Sequence, residues 1–175
     1  MVLFFVYDII IKEAIMNEVV NKLIEFKETI SVMESCTGGG VAYSITNVPG
    51  ASEIFEFGAV TYSNQYKVKL GVSSELIDKY SVYSPEVAKD MARAIVKLTN
   101  SNYGVGVTGK LNKPDPANPY GEDNTVYICI LDRINNTYYP KTIVLEHEDR
   151  ISNKEQIIKE VSELLLSIIN KKKTD

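Results

Sequence analysis

The stretch GASEIFEFGAVTYSNQYK, from Gly50 to Lys67, predicts one short strand that leads directly into a helix. Aromatic and small apolar residues over Phe57–Tyr62 favour the strand, and Ser63 or Asn64 is typical of a helix N-cap. In α/β sheets, ligand sites gather at the carboxyl ends of strands. The end of this strand is therefore a candidate functional site.

Three side chains around this strand, Ser52, Tyr62 and Lys67, could together cleave an amide bond. A serine hydroxyl is a weak nucleophile and needs a neighbouring base to accept its proton. A neutral lysine can be that base if its pKa falls from about 10.4 to roughly 7 to 8, with a tyrosine hydroxyl to hold or relay the proton. The residue types alone leave open a helix cap for the serine, a packed aromatic for the tyrosine and a surface charge for the lysine.

A second glycine-rich turn lies upstream, where the strand predicted over Thr29–Met33 runs into Glu34-Ser35-Cys36-Thr37-Gly38-Gly39. Apolar residues at helical spacing follow from Val41, which predicts a strand, a tight turn and a helix. The N–H groups at such a helix start attract anions, and the hydroxyls of Ser35 and Thr37 would assist. The alternative is that one of these hydroxyls only caps the helix.

The remaining chain continues the alternation of helices and strands. The predicted helices cover Val19–Phe26, Ser73–Tyr80, Pro85–Leu98 and Asn153–Asn170, and the further strands cover Tyr103–Val107, Thr125–Leu131 and Tyr138–Leu145. Asn135-Asn136 predicts a hairpin between the last two strands. The expected fold is α/β, a three-layer sandwich with a mixed sheet covered by helices, and the turns after the first three strands should converge.

Length and composition indicate a single globular domain. The chain has 175 residues, of which 45% are hydrophobic and 24% charged, so it resembles neither a disordered segment nor a membrane protein. Its net charge of -4 argues against nonspecific binding of nucleic acid, which requires a basic surface.

Cysteine and histidine usage excludes several kinds of site. Cys36 and Cys129 are too few and too far apart to predict a disulfide framework or a metal site, which favours a reducing, cytoplasmic setting. Cys36 could be stabilised as a thiolate at a helix start, although a small packed residue is the simpler interpretation. His147 is the single histidine, so a conventional Ser-His-Asp triad is not expected.

The first fifteen residues are expected to be an N-terminal extension or the result of an alternative start, with one domain over residues 16–175. The apolar run Val2–Tyr7 is too short to span a bilayer. Lys12-Glu13 interrupts the apolar stretch where a secretory signal would carry small residues. We therefore expect neither a membrane span nor a signal peptide.

Several motifs occur together in a characteristic order. They are ESCTGG at Glu34–Gly39, VTYSNxxK at Val60–Lys67, SPEVA at Ser84–Ala88, VTG at Val107–Gly109 and the pair Asp149-Arg150. In these motifs the chain resembles the CinA C-terminal domain family, the nicotinamide mononucleotide deamidases, in the stand-alone form of that domain. The resemblance extends from about Val20 to the C-terminus.

The resemblance implies hydrolysis of the carboxamide of nicotinamide mononucleotide to nicotinate mononucleotide and ammonia, in pyridine nucleotide recycling. It implies a catalytic group of Ser52, Tyr62 and Lys67. The residues that it implies for substrate binding are Ser35, Thr37, Gly38, Gly39, Thr108, Gly109 and Arg150. For Arg150, whose planar fork suits a phosphate or carboxylate, the alternative is a salt bridge with Glu146 or Glu148. The family implies no metal and no cofactor, a small nucleotide as substrate, and a cytoplasmic homodimer or larger homo-oligomer.

The loop from Lys110 to Asp123, KLNKPDPANPYGED, departs from the family, which has a glycine-rich run at this point. Three prolines stiffen it, and Lys110 and Lys113 could supply charge for a phosphate. Two alternatives to the deamidase therefore stay open. One is a noncatalytic nucleotide-binding paralogue, and the other is an amidase for another small amide.

Overall fold

The computed structural model describes the backbone of residues 2–171 and the side chains of residues 13–171. Helices and strands alternate along the first part of the chain, and two long β-strands precede the last helix. In chain order they are α1 Val2–Phe26, β1 Ile30–Glu34, α2 Gly40–Thr46, β2 Phe55–Val60, α3 Asn64–Lys69, α4 Ser74–Tyr80, α5 Pro85–Thr99, β3 Tyr103–Gly109, β4 Thr125–Asp132, β5 Thr137–Val144 and α6 Arg150–Lys171.

The five strands form one mixed sheet in the order β2-β1-β3-β4-β5. Strands β2 and β3 both pair with β1 in parallel, whereas β4 and β5 add antiparallel neighbours on the other side. Strands β1 and β3 are buried along their full length, as expected for strands covered on both faces. The predicted mixed sheet is confirmed, and so is the hairpin through Asn135-Asn136.

Two apolar clusters, one on each face of the sheet, make the fold three layers thick. Ile30 and Val32 of β1 face helices α1, α2 and α6, whereas Met33 faces α4 and α5. This division follows from the strand period of two, which sends successive side chains to opposite faces. Each fully buried aliphatic side chain contributes about 1.5–3 kcal/mol. The three-layer α/β sandwich is therefore confirmed.

Two glycines of β3 allow α5 to pack closely on the sheet. A Cβ atom built on Gly104 would lie 2.6 Å from the carbonyl oxygen of Ala92, and one built on Gly106 would lie 2.7 Å from the Ala92 nitrogen. Both neighbours are backbone atoms of α5, which cannot rotate away. The glycines thus fix the distance between the helix and the strand.

Helices α3, α4 and α5 begin at serine caps. Ser63, Ser73 and Ser84 each accept a hydrogen bond from the backbone N–H three residues later. The cap predicted at Ser63 or Asn64 is thus confirmed at Ser63. Such caps each contribute about 1 kcal/mol.

Helix α1 runs without interruption through residue 15, where the sequence predicts the boundary of an N-terminal extension. Across the described residues, we find no helix with the length and apolar character needed to cross a bilayer.

Candidate active site

A cleft of about 340 Å³ opens at the carboxyl ends of β1, β2 and β3. Ser35 and Cys36 follow β1, Tyr62 follows β2, and Gly109 ends β3. The predicted convergence of three turns is therefore confirmed. The residues lining the cleft are Ser35, Cys36, Tyr62, Tyr83, Gly109, Lys110, Leu111, Lys113, Pro114, Asp115, Pro116 and Arg150.

Lys67 lies beneath this cleft, with only 1% of its surface exposed. Helix α3 begins just after β2, so a side chain one turn into the helix can reach back to the end of the sheet. The Lys67 Nζ donates to the Thr61 carbonyl oxygen at 2.6 Å and to the Ser35 hydroxyl at 3.1 Å. A buried amine and a serine hydroxyl at the mouth of a cleft thus share a hydrogen bond.

Burial lowers the pKa of Lys67 from 10.5 to about 8, because a charged ammonium loses its water there. A thiolate at Cys36 would oppose this shift. However, burial also raises the pKa of the Cys36 thiol to about 12, so the thiol is neutral over the range in which Lys67 titrates. Near neutral pH a useful fraction of Lys67 is therefore the free amine, the form that can accept a proton. Cys36 itself is a packed thiol.

The structure places Ser52, which the resemblance assigns to the catalytic group, at the opposite end of β2 from Tyr62 and Lys67. Ser52 lies in a short 3₁₀ turn, Ala51–Glu53, which precedes β2, whereas Tyr62 and Lys67 follow it. The six residues of β2 span about 20 Å at roughly 3.3 Å per residue, so the two ends of the strand are far apart. Proximity in sequence suggests that Ser52 lies near Lys67, but the strand between them separates the two side chains.

Tyr62 lines the cleft and is 65% exposed. Its hydroxyl accepts a hydrogen bond from Arg150 Nη2 at 3.1 Å, and Arg150 Nη1 donates to the Leu111 carbonyl at 2.8 Å. Tyr62 and Arg150, which the resemblance assigns to the site, therefore lie together at the cleft, and both are exposed to solvent there.

The predicted anion site at the start of α2 is filled by a side chain of the protein itself. The Glu34 carboxylate accepts hydrogen bonds from the Thr37 hydroxyl and from the backbone N–H groups of Val41 and Ala42. Because Glu34 takes these donors, they are not open to a substrate phosphate. The Thr37 hydroxyl, which the resemblance assigns to substrate binding, makes an internal hydrogen bond to Glu34 here.

Four more residues predicted for substrate binding, Gly38, Gly39, Thr108 and Gly109, differ in whether they line the cleft. Gly38 and Gly39 form the turn with φ values of 64° and 99°, a left-handed conformation that favours glycine, and Gly38 packs under Lys154. Thr108 is fully buried, donates to the Val82 carbonyl at 3.0 Å and is not among the residues that line the cleft. Gly109 alone of these lines the cleft. Only glycine fits at this position, since a Cβ would lie 2.5 Å from the Thr125 carbonyl oxygen of the neighbouring strand β4.

The loop of residues 110–123 forms one wall of the cleft and is held by its own polar contacts. The Lys110 ammonium is buried and donates to the carbonyl oxygens of Pro119 and Gly121 at 3.3 and 3.0 Å. It also lies 3.4 Å from Asp123. Lys110 is therefore a support inside the loop and is not available to a phosphate, whereas the exposed Lys113 faces the cleft.

Two further contacts fasten this loop to the rest of the site. The Tyr83 hydroxyl donates to the Asp115 carboxylate at 2.6 Å, and Asn64 at the start of α3 donates to Asn118 at 2.8 Å. Burial, together with the bond to Asp115, raises the pKa of Tyr83. No pattern in the sequence indicates these pairs, because their members are more than 30 residues apart.

The described residues contain no cluster of three or more histidine, cysteine or acidic side chains suited to a metal ion. Cys129 is buried, which raises the pKa of its thiol to about 12. His147 is exposed in the segment before α6. The cleft brings together a possible nucleophile, the Ser35 hydroxyl, and a possible base, the Lys67 amine.

Comparison with known proteins identifies relatives in both sequence and structure. The profile of the CinA C-terminal domain family matches residues 12–169. A relative from Caldanaerobacter subterraneus subsp. tengcongensis, named among the competence-damage inducible proteins, is 38% identical over 144 residues, 81% of this chain. A similarly named relative from Clostridium kluyveri is 42% identical over 120 residues, 67% of this chain. The matched segments make up only 34% and 29% of those relatives.

Solved structures show the same fold at low sequence identity. A CinA superfamily protein from Escherichia coli superposes with a TM-score of 0.82 at 22% identity, covering 90% of each chain. A competence/damage inducible protein from Agrobacterium tumefaciens gives a TM-score of 0.82 at 23% identity and covers 91% of this chain and 95% of its own.

Proposed function

Because this chain belongs to the CinA C-terminal domain family, we propose that it is an amidohydrolase that converts nicotinamide mononucleotide to nicotinate mononucleotide and ammonia. The observation that carries the proposal is the hydrogen bond of 3.1 Å between the buried Lys67 amine and the Ser35 hydroxyl. Nucleophile and base within hydrogen-bond reach are the geometric signature of covalent catalysis by serine. We therefore assign the nucleophile to Ser35 and the general base to Lys67.

In the first half-reaction, the Ser35 Oγ attacks the carboxamide carbon while the Lys67 amine takes the hydroxyl proton. The resulting ammonium then gives a proton to the departing nitrogen, the C–N bond breaks, and ammonia leaves an acyl ester on Ser35. The backbone N–H groups of Cys36 and Thr37, which follow the nucleophile in the turn, are candidate donors to the tetrahedral oxyanion.

In the second half-reaction, water attacks the ester carbon and Lys67 accepts the proton of the water. The C–O bond to Ser35 breaks, the serine oxygen recovers its proton from Lys67, and the carboxylic acid product leaves as its carboxylate after giving a proton to solvent. One water is consumed, and no metal or cofactor takes part in this scheme. A base with a pKa of about 8 suits both halves, because it can accept and donate near neutral pH.

Cations at the cleft support a phosphorylated substrate. Lys113 and Arg150 line it and are exposed, so their charges can reach a phosphate without first losing an internal ion pair. The exposed aromatic ring of Tyr62 lies in the same cleft and suits a positively charged pyridinium ring, since a cation is attracted to the face of an aromatic ring.

The loop of residues 110–123 supports a second candidate function, a noncatalytic nucleotide-binding paralogue. Its prolines and internal contacts stiffen one wall of the cleft, where the family has a glycine-rich run. The same wall would favour an amidase for another small amide if the nucleotide does not fit. For the working state we propose a cytoplasmic homodimer or larger homo-oligomer, to be measured by light scattering of the purified protein.

The decisive experiment is ammonia release from nicotinamide mononucleotide by purified protein, with Ser35→Ala, Ser52→Ala and Lys67→Met beside it. We expect Ser35→Ala and Lys67→Met to lose at least about 1,000-fold in kcat, because each removes a reacting group. Ser52→Ala tests whether Ser35 or Ser52 is the nucleophile, and it should retain activity if Ser35 is. Wild-type protein that binds the nucleotide without releasing ammonia would favour the binding paralogue, and loss of activity in Ser52→Ala would refute Ser35 as the sole nucleophile.

A further inference from the structure

The carboxylate of Glu34 is completely removed from solvent, although it lies next to the proposed nucleophile in sequence. One oxygen, Oε2, accepts from the Thr37 hydroxyl at 2.5 Å and from the Val41 N–H at 3.1 Å. The other, Oε1, accepts from the Ala42 N–H at 3.1 Å. All three hydrogen-bond partners donate, so both carboxylate oxygens act as acceptors.

Burying a carboxylate is costly unless hydrogen bonds replace its water. The N–H groups at the start of α2 would also be left without partners in the absence of a capping side chain. Glu34 and α2 therefore satisfy each other. The carboxylate stands at the end of β1, so the pair also joins the strand to the helix across the intervening turn.

That turn carries Ser35 and has few other restraints. The Ser35 N–H donates to the Val107 carbonyl at 3.1 Å, and the Gly38 N–H donates to the Ser35 carbonyl at 3.0 Å. Beyond Ser35, two successive glycines in left-handed conformation offer no side chain to hold the turn. On the far side of the turn, the Gly40 N–H donates to the Thr37 carbonyl at 3.4 Å, and the Glu34 carboxylate is the side-chain contact that ties the turn to α2.

We propose that Glu34 is a positioning residue for the nucleophile: its buried carboxylate closes the turn and thereby holds the Ser35 hydroxyl on the Lys67 amine. The inference rests on the proposed role of Ser35. Glu34 contributes no atom to the reaction and lies outside the set of cleft-lining residues. Its loss should therefore slow chemistry on Ser35 while leaving the walls that hold a substrate intact.

The test measures how fast Ser35 is labelled by a fluorophosphonate, detected by mass spectrometry of the modified peptide. In this reaction the Ser35 oxygen bonds to phosphorus, fluoride leaves, and Lys67 takes the hydroxyl proton. The reaction reports the nucleophile without needing the natural substrate. Glu34→Gln keeps the shape of the side chain but puts an amide NH₂ against donors. Thr37→Val removes one donor without changing the charge of Glu34.

We expect Glu34→Gln to lower the labelling rate by about 10- to 100-fold, since displacing a reacting group by about 1 Å can cost that much. Thr37→Val should lower it less, Thr37→Ser should recover part of the loss, and Glu34→Gln/Thr37→Val should be no slower than Glu34→Gln alone. With nicotinamide mononucleotide, kcat should fall while KM changes less than about threefold. Glu56→Gln, the same change on the exposed edge strand β2, is the matched control and should label like wild type.

The outcomes separate this inference from the proposed function. Wild-type labelling at Ser35 together with equal labelling of folded Glu34→Gln would overturn the positioning role and leave the amidohydrolase proposal standing. A lower melting temperature with an unchanged labelling rate, or a rise in KM alone, would also overturn it. Absence of labelling at wild-type Ser35 would overturn both. If Glu34→Gln does not fold, the difference between Thr37→Val and Thr37→Ser decides.

Discussion

At the residue scale, the site depends on a lysine whose charge is disfavoured by its position. Lys67 has lost nearly all contact with water, and its hydrogen-bond partners are a neutral carbonyl and a neutral hydroxyl. Neither partner compensates an ammonium as a carboxylate would. The same burial that makes Lys67 a usable base therefore makes it a poor contributor to stability.

The first prediction concerns the pH dependence of catalysis. Because the base must be neutral and the pKa of Lys67 is about 8, kcat/KM should rise roughly tenfold per pH unit below pH 8 and level off above it. Steady-state rates of ammonia release between pH 6 and 9.5 check this. A profile that is flat from pH 6.5 to 9 would show that Lys67 is not the base.

The second prediction concerns stability. The folded-state pKa of Lys67, about 8, lies below its unfolded value of 10.5, so the unfolded chain binds more protons between these values and stability rises with pH there. Relative to Lys67→Met, wild type should gain up to about 3 kcal/mol in unfolding free energy between pH 7 and 10.5, because a tenfold change in a proton-binding constant is worth about 1.4 kcal/mol. Urea unfolding of both proteins at several pH values measures the difference. A difference that is constant with pH would contradict the prediction.

At the scale of elements, the spacing between α5 and β3 is set by two glycines of β3, which carry no side chain. The α5 backbone lies so close to β3 that Gly104 and Gly106 leave no room for a methyl group. The packing of this helix also carries the cap at Ser84 and the nearby Tyr83, which holds Asp115 of the cleft loop. The position of α5 on the sheet therefore also affects the loop that forms one wall of the cleft.

The third prediction is that Gly106→Ala costs about 3 kcal/mol or more, because the new methyl group would overlap the Ala88 carbonyl oxygen. Gly58→Ala on β2 is the matched control. There the closest atom is the ring of Phe55, at 2.8 Å, which can move aside, so the cost should be smaller. Chemical unfolding of both variants gives the comparison, and equal costs would argue against a rigid contact between α5 and β3.

At the scale of the whole molecule, periodicity and turn chemistry are enough to predict the layers of the fold. The strand predicted over Thr125–Leu131 is observed over Thr125–Asp132, and the helix predicted over Pro85–Leu98 is observed over Pro85–Thr99. These elements are long or strongly patterned, and their boundaries coincide with capping or turn residues. The convergence of three turns follows from the general rule for α/β sheets.

The site is less predictable, because it depends on which donors and acceptors meet in space. A hydroxyl at Ser52 and one at Ser35 look alike in sequence, and only the course of β2 shows which of them reaches Lys67. The donors at the start of α2 look free in the sequence, yet Glu34 occupies them. Lys110 likewise looks like a cation for substrate, yet its ammonium lies among loop carbonyls.

Strand β2 lies at the edge of the sheet, where β1 is its one partner among the described strands. The Thr61 carbonyl that holds Lys67 comes directly after β2, and the Thr61 N–H is tied to the Glu34 carbonyl at 2.8 Å. Edge strands can open locally at a lower free energy than the whole protein needs to unfold. Mild urea should therefore abolish the proposed activity while the far-UV circular dichroism is still native, and the gap between the two midpoints would measure how firmly the edge of the sheet holds the proposed base.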